Sequence, residues 1–314
     1  MPPILEVQNL VKKFGDITAV DGVSFDIQEG EVFSLLGPNG AGKTTTISML
    51  SCLLEPTSGD AMVGGYSVTQ NALEVKNIIG VVPQEIALYE ELSARENLTF
   101  WGQMYGLGGS ALKTRVTEVL EQIGLADRAK DRIKTYSGGM KRRVNIGVGL
   151  LHKPHLLFMD EPTVGIDPQS RRSILDSVKD LNKAGMTVLY TTHYMEEAEE
   201  LSHRVGIIDQ GKMIAIGTQK ELTQLVGENE TLRLHTGENV DLQPLLTALQ
   251  ELPEVIHVSS SEDMLVLIVP EADDALPPVL SKADRLGYKI RSVDIQEPNL
   301  EAVFLKLTGK ALRD

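Results

Sequence analysis

Eight consecutive residues, Gly37-Pro38-Asn39-Gly40-Ala41-Gly42-Lys43-Thr44, fit the spacing G-x-x-x-x-G-K-[ST] at every fixed position. The chemistry open to that pattern is the binding of a nucleoside triphosphate. Backbone N–H groups of a glycine-rich turn can curl around phosphate oxygens, and a helix starting there aims the positive end of its dipole at them. Lys43 is then placed to bridge the β- and γ-phosphates, and Thr44 to hold Mg2+. The flanks agree with this. Residues 31–36 are a largely apolar run of strand length, and residues 44–54 have helical spacing.

A second set of residues supplies what a phosphate loop lacks. Leu156-Leu157-Phe158-Met159-Asp160-Glu161-Pro162 reads as an apolar strand ending in two carboxylates. A strand apolar at successive positions is buried on both faces, as in a parallel sheet, and brings its last side chains to the carboxyl end where ligands bind. Asp160 is placed there to join a Mg2+ shell, and Glu161 to orient or deprotonate an attacking water. Alone, such a pair reads more readily as a solvated loop start; coupled to the phosphate loop, the balance reverses. Ser137-Gly138-Gly139 precedes a segment of helical spacing over 144–151. Ser137 reads as the helix cap, with the two glycines leaving backbone N–H groups open to a second anion. Residues 188–192 form another buried strand, which ends at His193.

Taken together, these motifs resemble the ATP-binding subunit of an ABC transporter, in matching order along residues 4 to about 220. The resemblance implies an α/β fold: a RecA-like P-loop core, a β-rich N-terminal subdomain and a helical subdomain carrying the signature. It implies that Gly37, Pro38, Asn39, Gly40, Ala41, Gly42, Lys43, Thr44 and Thr45 hold ATP, with Thr44, Gln84 and Asp160 at Mg2+. Glu161, Gln84 and His193 correspond to the catalytic set, His193 as the switch histidine that meets the γ-phosphate. Gln84, in Val81-Val82-Pro83-Gln84-Glu85, also reports nucleotide state to a membrane partner in that family. Phe14, in Lys13-Phe14-Gly15, matches the aromatic that stacks on adenine; its plain alternative is a core phenylalanine. Ser137, Gly138 and Gly139 would reach the γ-phosphate held by a second cassette, and Asp167, in Gly165-Ile166-Asp167-Pro168, would lie at the seam. Two cassettes, identical or paralogous, would thus pair head to tail and serve a separately encoded permease.

The signature departs from the common LSGGQ form, beginning with Tyr136 and ending in Met140. The Y-S-G-G-M version resembles the exporter branch that includes daunorubicin-resistance-type drug pumps. So does the ending over residues 297–310, which reads E-P-N-L-E-A-V-F-L-K-L-T-G-K. The expected activity is ATP hydrolysis driving export of a drug, antibiotic, lipid or ion, with the cargo path in the permease. The alternatives are an importer subunit, or an ABC ATPase acting on ribosomes or nucleic acid. The latter kind generally has two cassettes in one chain, long coiled-coil insertions or zinc modules, and this sequence shows none.

The elements that must position these residues follow from composition and periodicity. At 314 residues, with 42% hydrophobic and 24% charged side chains, the chain is globular, and its length favours two domains. We expect an ATP-binding cassette over residues 1–225 and an accessory or regulatory domain over 226–314. Residues 221–314 carry 8 basic and 17 acidic side chains, the larger part of a net charge of −14. That balance argues against nucleic-acid binding, which needs a basic footprint. Neither a secretory signal nor an apolar run of spanning length is found, so the expected location is the cytoplasm, peripheral on the inner face of the membrane through the permease. Cys52, the only cysteine, reads as a small buried hydrophobe on the helix after the phosphate loop. The five other histidines, at 152, 155, 203, 235 and 257, fit no motif.

A β-rich opening over residues 4–27 and a mainly helical stretch over 94–129 bracket the early motifs. Leu98, Trp101, Met104 and Tyr105 share one face of that stretch, either as packing or, with the loop 85–92, as the groove for a permease helix. Residues 230–314 alternate strand and helix in ferredoxin-like order, closing with a helix whose apolar stripe is Leu300, Val303, Phe304 and Leu307.

Overall fold

The computed structural model describes residues 2–225, 229–236, 241–261, 264–296 and 299–309. The chain divides into two compact units, Met1–Ile216 and Gly217–Asp314.

The first unit opens with an antiparallel hairpin of β1 (Leu5–Phe14) and β2 (Ile17–Ile27). After it come β3 (Val32–Leu36) and α1 (Lys43–Leu50), which bracket the phosphate loop. The next strands, β4 (Ser58–Val63) and β5 (Tyr66–Ser67), return to the hairpin and complete a sheet ordered β2-β1-β4-β5. Then follow α2 (Ala72–Ile78), β6 (Ile79–Val82), α3 (Ala94–Met104), α4 (Gly109–Gln122) and α5 (Gly138–Leu150). The remaining elements are β7 (Leu156–Asp160), α6 (Pro168–Lys183), β8 (Thr187–Thr192), α7 (Met195–Leu201), β9 (Arg204–Asp209) and β10 (Lys212–Gly217). The second sheet runs β10-β9-β3-β8-β7-β6, with β9, β3, β8, β7 and β6 parallel to one another.

Every residue of β3, β7 and β8 is buried, the mark of a parallel sheet covered on both faces. Strand β7 shows how. Leu156 and Phe158 join a core with the hairpin and α1, whereas Leu157 and Met159 join one with α3, α4 and α5. Parallel strands all bring their carboxyl ends to one edge, where β3, β7 and β8 deliver the phosphate loop, Glu161 and His193 side by side.

Helix starts are set by side-chain caps. Ser93 and Glu96 form a capping box on α3, Ser137 caps α5, and Asp167 caps α6 with Pro168 at its first position. The α3 face expected from spacing is split. Leu98 is fully buried and Trp101 packs on the core, but Met104 is 65% exposed and Tyr105 lies past the helix, stacked on His152 at 4.2 Å. Cys52 also differs from expectation. The helix ends at Leu50, and Cys52 sits beyond its cap at φ 56, half-buried instead of enclosed.

In the second unit, α8 (Gln219–Gln224) precedes β11 (Glu230–His235), α9 (Gln243–Gln250), β12 (His257–Ser261) and β13 (Met264–Val269). Helix α10 (Ala272–Arg285), β14 (Ser292–Gln296) and α11 (Leu300–Thr308) complete it. The sheet is ordered β12-β13-β11-β14 with all neighbours antiparallel. Helices α9 and α10 bury Leu245, Leu249, Ala275 and Val279 with Leu232, Leu265 and Leu267 of the sheet. Helix α8 stands with this unit, where it packs on α11 and Lys306 donates a hydrogen bond to the Leu225 carbonyl. Most of the motif at 297–310 is described, but Glu297, Pro298 and Lys310 lie outside the described residues.

Candidate functional site

The phosphate loop leaves β3 after Leu36 and becomes helical at Lys43. Gly42 caps α1 at φ 103, and a Cβ on it would stand 2.6 Å from the Ala19 carbonyl oxygen. Only glycine satisfies both the turn and that close approach of β2. The Lys43 ammonium donates to the carbonyl oxygens of Gly37 at 2.6 Å and Pro38 at 2.9 Å, and lies 2.9 Å from Oε1 of Glu161. Asn39, Gly40, Gly42, Lys43, Thr44, Thr45, Gln84 and Glu161 line one cavity of about 220 Å3, closed on the β2 side by Ala19.

Glu161 follows the last residue of β7 at φ 43, a left-handed conformation that costs a side-chain-bearing residue of order 1–3 kcal/mol. Its N–H is fixed by the hydroxyl of Thr191 at 3.0 Å and the Thr191 carbonyl at 3.2 Å. The strain is thus held by β8, and it aims the carboxylate toward Lys43. Burial pushes that carboxyl up, but His193 and Lys43 outweigh burial and hold it at about 2. His193 Nδ1 is 3.3 Å from Glu161 Oε2, and Gln84 donates to the same oxygen at 3.4 Å. Asp160 moves the other way. Burial raises its carboxyl despite hydrogen bonds from the hydroxyls of Thr191, at 2.7 Å, and Thr44.

The structure therefore brings together the loop residues, Gln84, Asp160, Glu161 and His193. It does not bring the remaining candidates to that cavity. Ser137 caps α5 by accepting the Met140 N–H at 3.2 Å. Gly139 lies so close to α6 that a Cβ would come within 2.2 Å of the Ser170 side chain. Asp167 accepts the Ser170 N–H at 3.0 Å, so the signature and the Asp167 segment pack on each other. Phe14 is 49% exposed at the end of the hairpin, with Lys12 Nζ 5.3 Å from its ring centre. An open ring face suits stacking and contradicts the alternative of a core phenylalanine.

The donor set fits a triphosphate and a hard cation. Among the described residues, the direct contacts of Asp160 are hydroxyls, and buried His193 Nδ1 stands 3.3 Å from Glu161 Oε2 without an aligned hydrogen bond. Among them too, no cluster of three or more His, Cys, Asp or Glu could hold a metal. Mg2+ needs no such cage, since it is commonly bound through one or two carboxylates plus substrate phosphates.

Sequence reasoning missed Thr191, which anchors both Asp160 and Glu161, and Ala19, which walls the cavity. Thr191-Thr192 at the end of an otherwise apolar strand was the available signal. Hydroxyls at a buried strand end need partners, and the adjacent strand's carboxylates are the nearest acceptors.

Comparison with known proteins agrees with this geometry. A family model described as "ABC transporter" matches residues 20–164. The linearmycin resistance ATP-binding protein LnrL of Bacillus subtilis (strain 168) is 51% identical over 313 residues, covering 99% of this chain and 100% of that protein. The daunorubicin/doxorubicin resistance ATP-binding protein DrrA of Streptomyces peucetius is 40% identical over 99% of this chain and 94% of its own length. Among solved structures, a dimeric ATP-binding cassette in a post-hydrolysis state with ADP and Pi has a TM-score of 0.61 at 28% identity, covering 68% of this chain and 98% of that one. A match along nearly the whole chain, with the phosphate loop and both carboxylates in register at one sheet edge, leaves a single assignment: the chain belongs to the ABC transporter family, as one of its ATP-hydrolysing ATP-binding subunits.

Proposed function

We propose that two copies of this cassette, or one copy and a paralogue, close head to tail over two ATP molecules and so drive a separately encoded exporter permease. The single observation that carries this reading is the convergence of Lys43, Gln84 and His193 on the Glu161 carboxylate beside the phosphate loop. Within one chain the signature residues 137–139 do not line that cavity, which supports a second cassette supplying them. Mg2+ would be held by Thr44 and Asp160, with Gln84 alongside, and would neutralise charge on the phosphates. Glu161 positions the attacking water. With its carboxyl held at about 2 it is a weak proton acceptor, so its basicity must rise as Lys43 turns from it to the phosphates.

The names of two relatives, which specify linearmycin, daunorubicin or doxorubicin resistance, support an amphipathic drug or antibiotic as the cargo. The permease would dock on the exposed side chains of Ile86 and Tyr89 after β6, with Met104 at the end of α3, placing the cassette at the membrane. Among the described residues no helix is long and apolar enough to cross a bilayer. The test is paired deletion. Cells lacking this gene and its neighbouring permease should become sensitive to one class of amphipathic toxin. Complementation should need both genes and an intact Glu161. Full complementation by a Glu161→Gln chain would overturn the proposal.

A further inference from the structure

One buried carboxylate takes no part in the nucleotide chemistry described so far. Glu197, on α7, is 2% exposed, and a charge at that depth is stable only when hydrogen-bonded or paired. Its partners come from three segments around the site. Oε1 accepts from the Thr163 hydroxyl at 2.7 Å, two residues beyond Glu161. Oε2 accepts from the hydroxyls of Tyr190 at 2.9 Å and Thr192 at 2.8 Å, both on β8. Arg171 of α6 brings Nε to 3.6 Å from Oε1, an ion-pair distance without a hydrogen bond.

Two of these contacts lead to His193. The Thr192 hydroxyl that donates to Glu197 also accepts the Tyr194 N–H at 2.9 Å, so the peptide units on either side of His193 are tied by a group whose orientation Glu197 sets. Arg171 in turn lies over the Tyr194 ring at 4.2 Å, and that ring packs on the His193 imidazole at 4.1 Å between centres. Backbone and ring of His193 are thereby both referred to one carboxylate. The Thr163 contact refers the segment carrying Glu161 to the same point.

We propose that Glu197 is a positioning residue for ATP hydrolysis, fixing His193 through Thr192 and through the Arg171–Tyr194 stack, and registering it against the Glu161 segment through Thr163. The inference rests on the role of His193 given above. A carboxylate is needed because Oε2 accepts two hydroxyls while Oε1 accepts a third. An amide offers one accepting atom and one donating group, so glutamine cannot satisfy this set without turning at least one hydroxyl around. Where Thr192 is the one that turns, its oxygen must accept from the amide as well as from the Tyr194 N–H while its own hydrogen is left to find a new acceptor, which loosens the Tyr194 contact.

The experiment is steady-state ATPase kinetics of the full-length chain, with nucleotide affinity and thermal midpoint measured alongside. Glu197→Gln should lower kcat about tenfold or more while KM and the ATP dissociation constant stay within about twofold. Thr192→Val should reproduce the loss, and Thr192→Ser, which keeps the hydroxyl, should recover rate relative to it. The decisive readout is the double variant. If Glu197 acts through His193, then His193→Ala with Glu197→Gln should be no slower than His193→Ala alone, whereas independent structural damage would multiply the two costs. Multiplied costs, or a Glu197→Gln chain with wild-type kcat, would overturn the inference while leaving the role of His193 intact. Wild-type turnover by His193→Ala would overturn both. Should Glu197→Gln fail to fold, the Thr192→Val and Thr192→Ser pair decides by the same criteria, combined with His193→Ala.

Discussion

The ammonium of Lys43 lies 2.9 Å from Oε1 of Glu161, both side chains almost fully buried, so the loop cation and the carboxylate that follows β7 are paired with each other. Lys43 has three donors, and the Gly37 carbonyl, the Pro38 carbonyl and Glu161 take all of them. Phosphate oxygens therefore compete with one carboxylate and two neutral carbonyls and do not meet a free cation. The site stores its charges in compensated form, and nucleotide binding is an exchange of partners.

That exchange sets the expectation for Glu161→Gln. Losing the base should cut turnover by about 10² or more, while ATP affinity should be unchanged or tighter because Lys43 is freed of a competing carboxylate. The closed dimer should accumulate. Sedimentation of the variant with saturating ATP and Mg2+ checks this, and a monomer under those conditions would refute ATP-driven pairing.

Lys43→Ala and Ser137→Arg should separate the two halves of the site. On the proposed role, Lys43 meets ground-state phosphates, so its loss should abolish ATP binding measured by titration. Ser137 lies away from the cavity of its own chain, and arginine there should spare binding while blocking dimerisation and turnover. Ser137→Arg also loses the cap on α5, a cost of about 1 kcal/mol visible as a lowered thermal midpoint. Equal loss of ATP binding in both variants would place Ser137 in the wrong half-site.

The depressed Glu161 carboxyl predicts a specific acid response. Its folded value of about 2 lies below the ordinary 4.5, so the stabilisation it contributes is fully present above about pH 4.5 and is lost as pH falls from there toward 2. A difference of that size corresponds to about 3 kcal/mol at most. Asp160, raised by burial, opposes it and is relieved on protonation. Urea midpoints between pH 5 and pH 3 should therefore fall more steeply for the wild type than for Glu161→Gln, and parallel slopes would show that the His193 and Lys43 contacts of Glu161 do not hold in solution.

A second charged cluster should matter only for stability. Arg204 at the start of β9 donates to Glu31 at 2.7 Å and to Asp26 at 3.0 Å, joining β9 to the turn between β2 and β3. Hydrogen bonds to both carboxylates raise its affinity for the proton further. Glu31 is buried, so Arg204→Ala would strand a carboxylate and should cost about 3 kcal/mol, with ATP affinity retained. Urea denaturation reads this directly, and a loss below about 0.5 kcal/mol would mean that water replaces the guanidinium.

The site was largely legible in the sequence, because its chemistry depends on contiguous spacing. The phosphate loop, the strand ending at Asp160 and the strand ending at His193 each announce themselves within ten residues. What stayed hidden depends on side chains far apart in sequence. Nothing local marks Glu197 as the acceptor for Thr163, Tyr190 and Thr192, since three other glutamates stand within four residues of it. Element ends were also obscured. Helix α10 starts at Ala272 and holds Pro277 and Pro278 inside it, so prolines that look like a boundary in the sequence are here carried within the helix.

The second unit supplies the last test. Every motif expected to contact nucleotide ends by His193, so a chain lacking residues 230–314 should still bind ATP, and what it loses should be assembly or regulation. Within the unit, α11 buries Leu300, Val303 and Phe304 but leaves Leu307 partly open, so the stripe is seated mainly through its first three members. Arg233 of β11 pairs with Glu301 beside that stripe and fixes the helix against the sheet. A charge at Phe304, which is fully buried, cannot be accommodated without unseating α11, and at about 25 cal/mol per Å2 the lost burial amounts to several kcal/mol. Phe304→Asp should therefore melt the second unit at lower temperature, as a separate calorimetric transition, with the ATP dissociation constant unchanged. A truncated chain that folds by circular dichroism yet fails to bind ATP would show that the second unit completes the nucleotide site, and would end the division of labour argued from these two units.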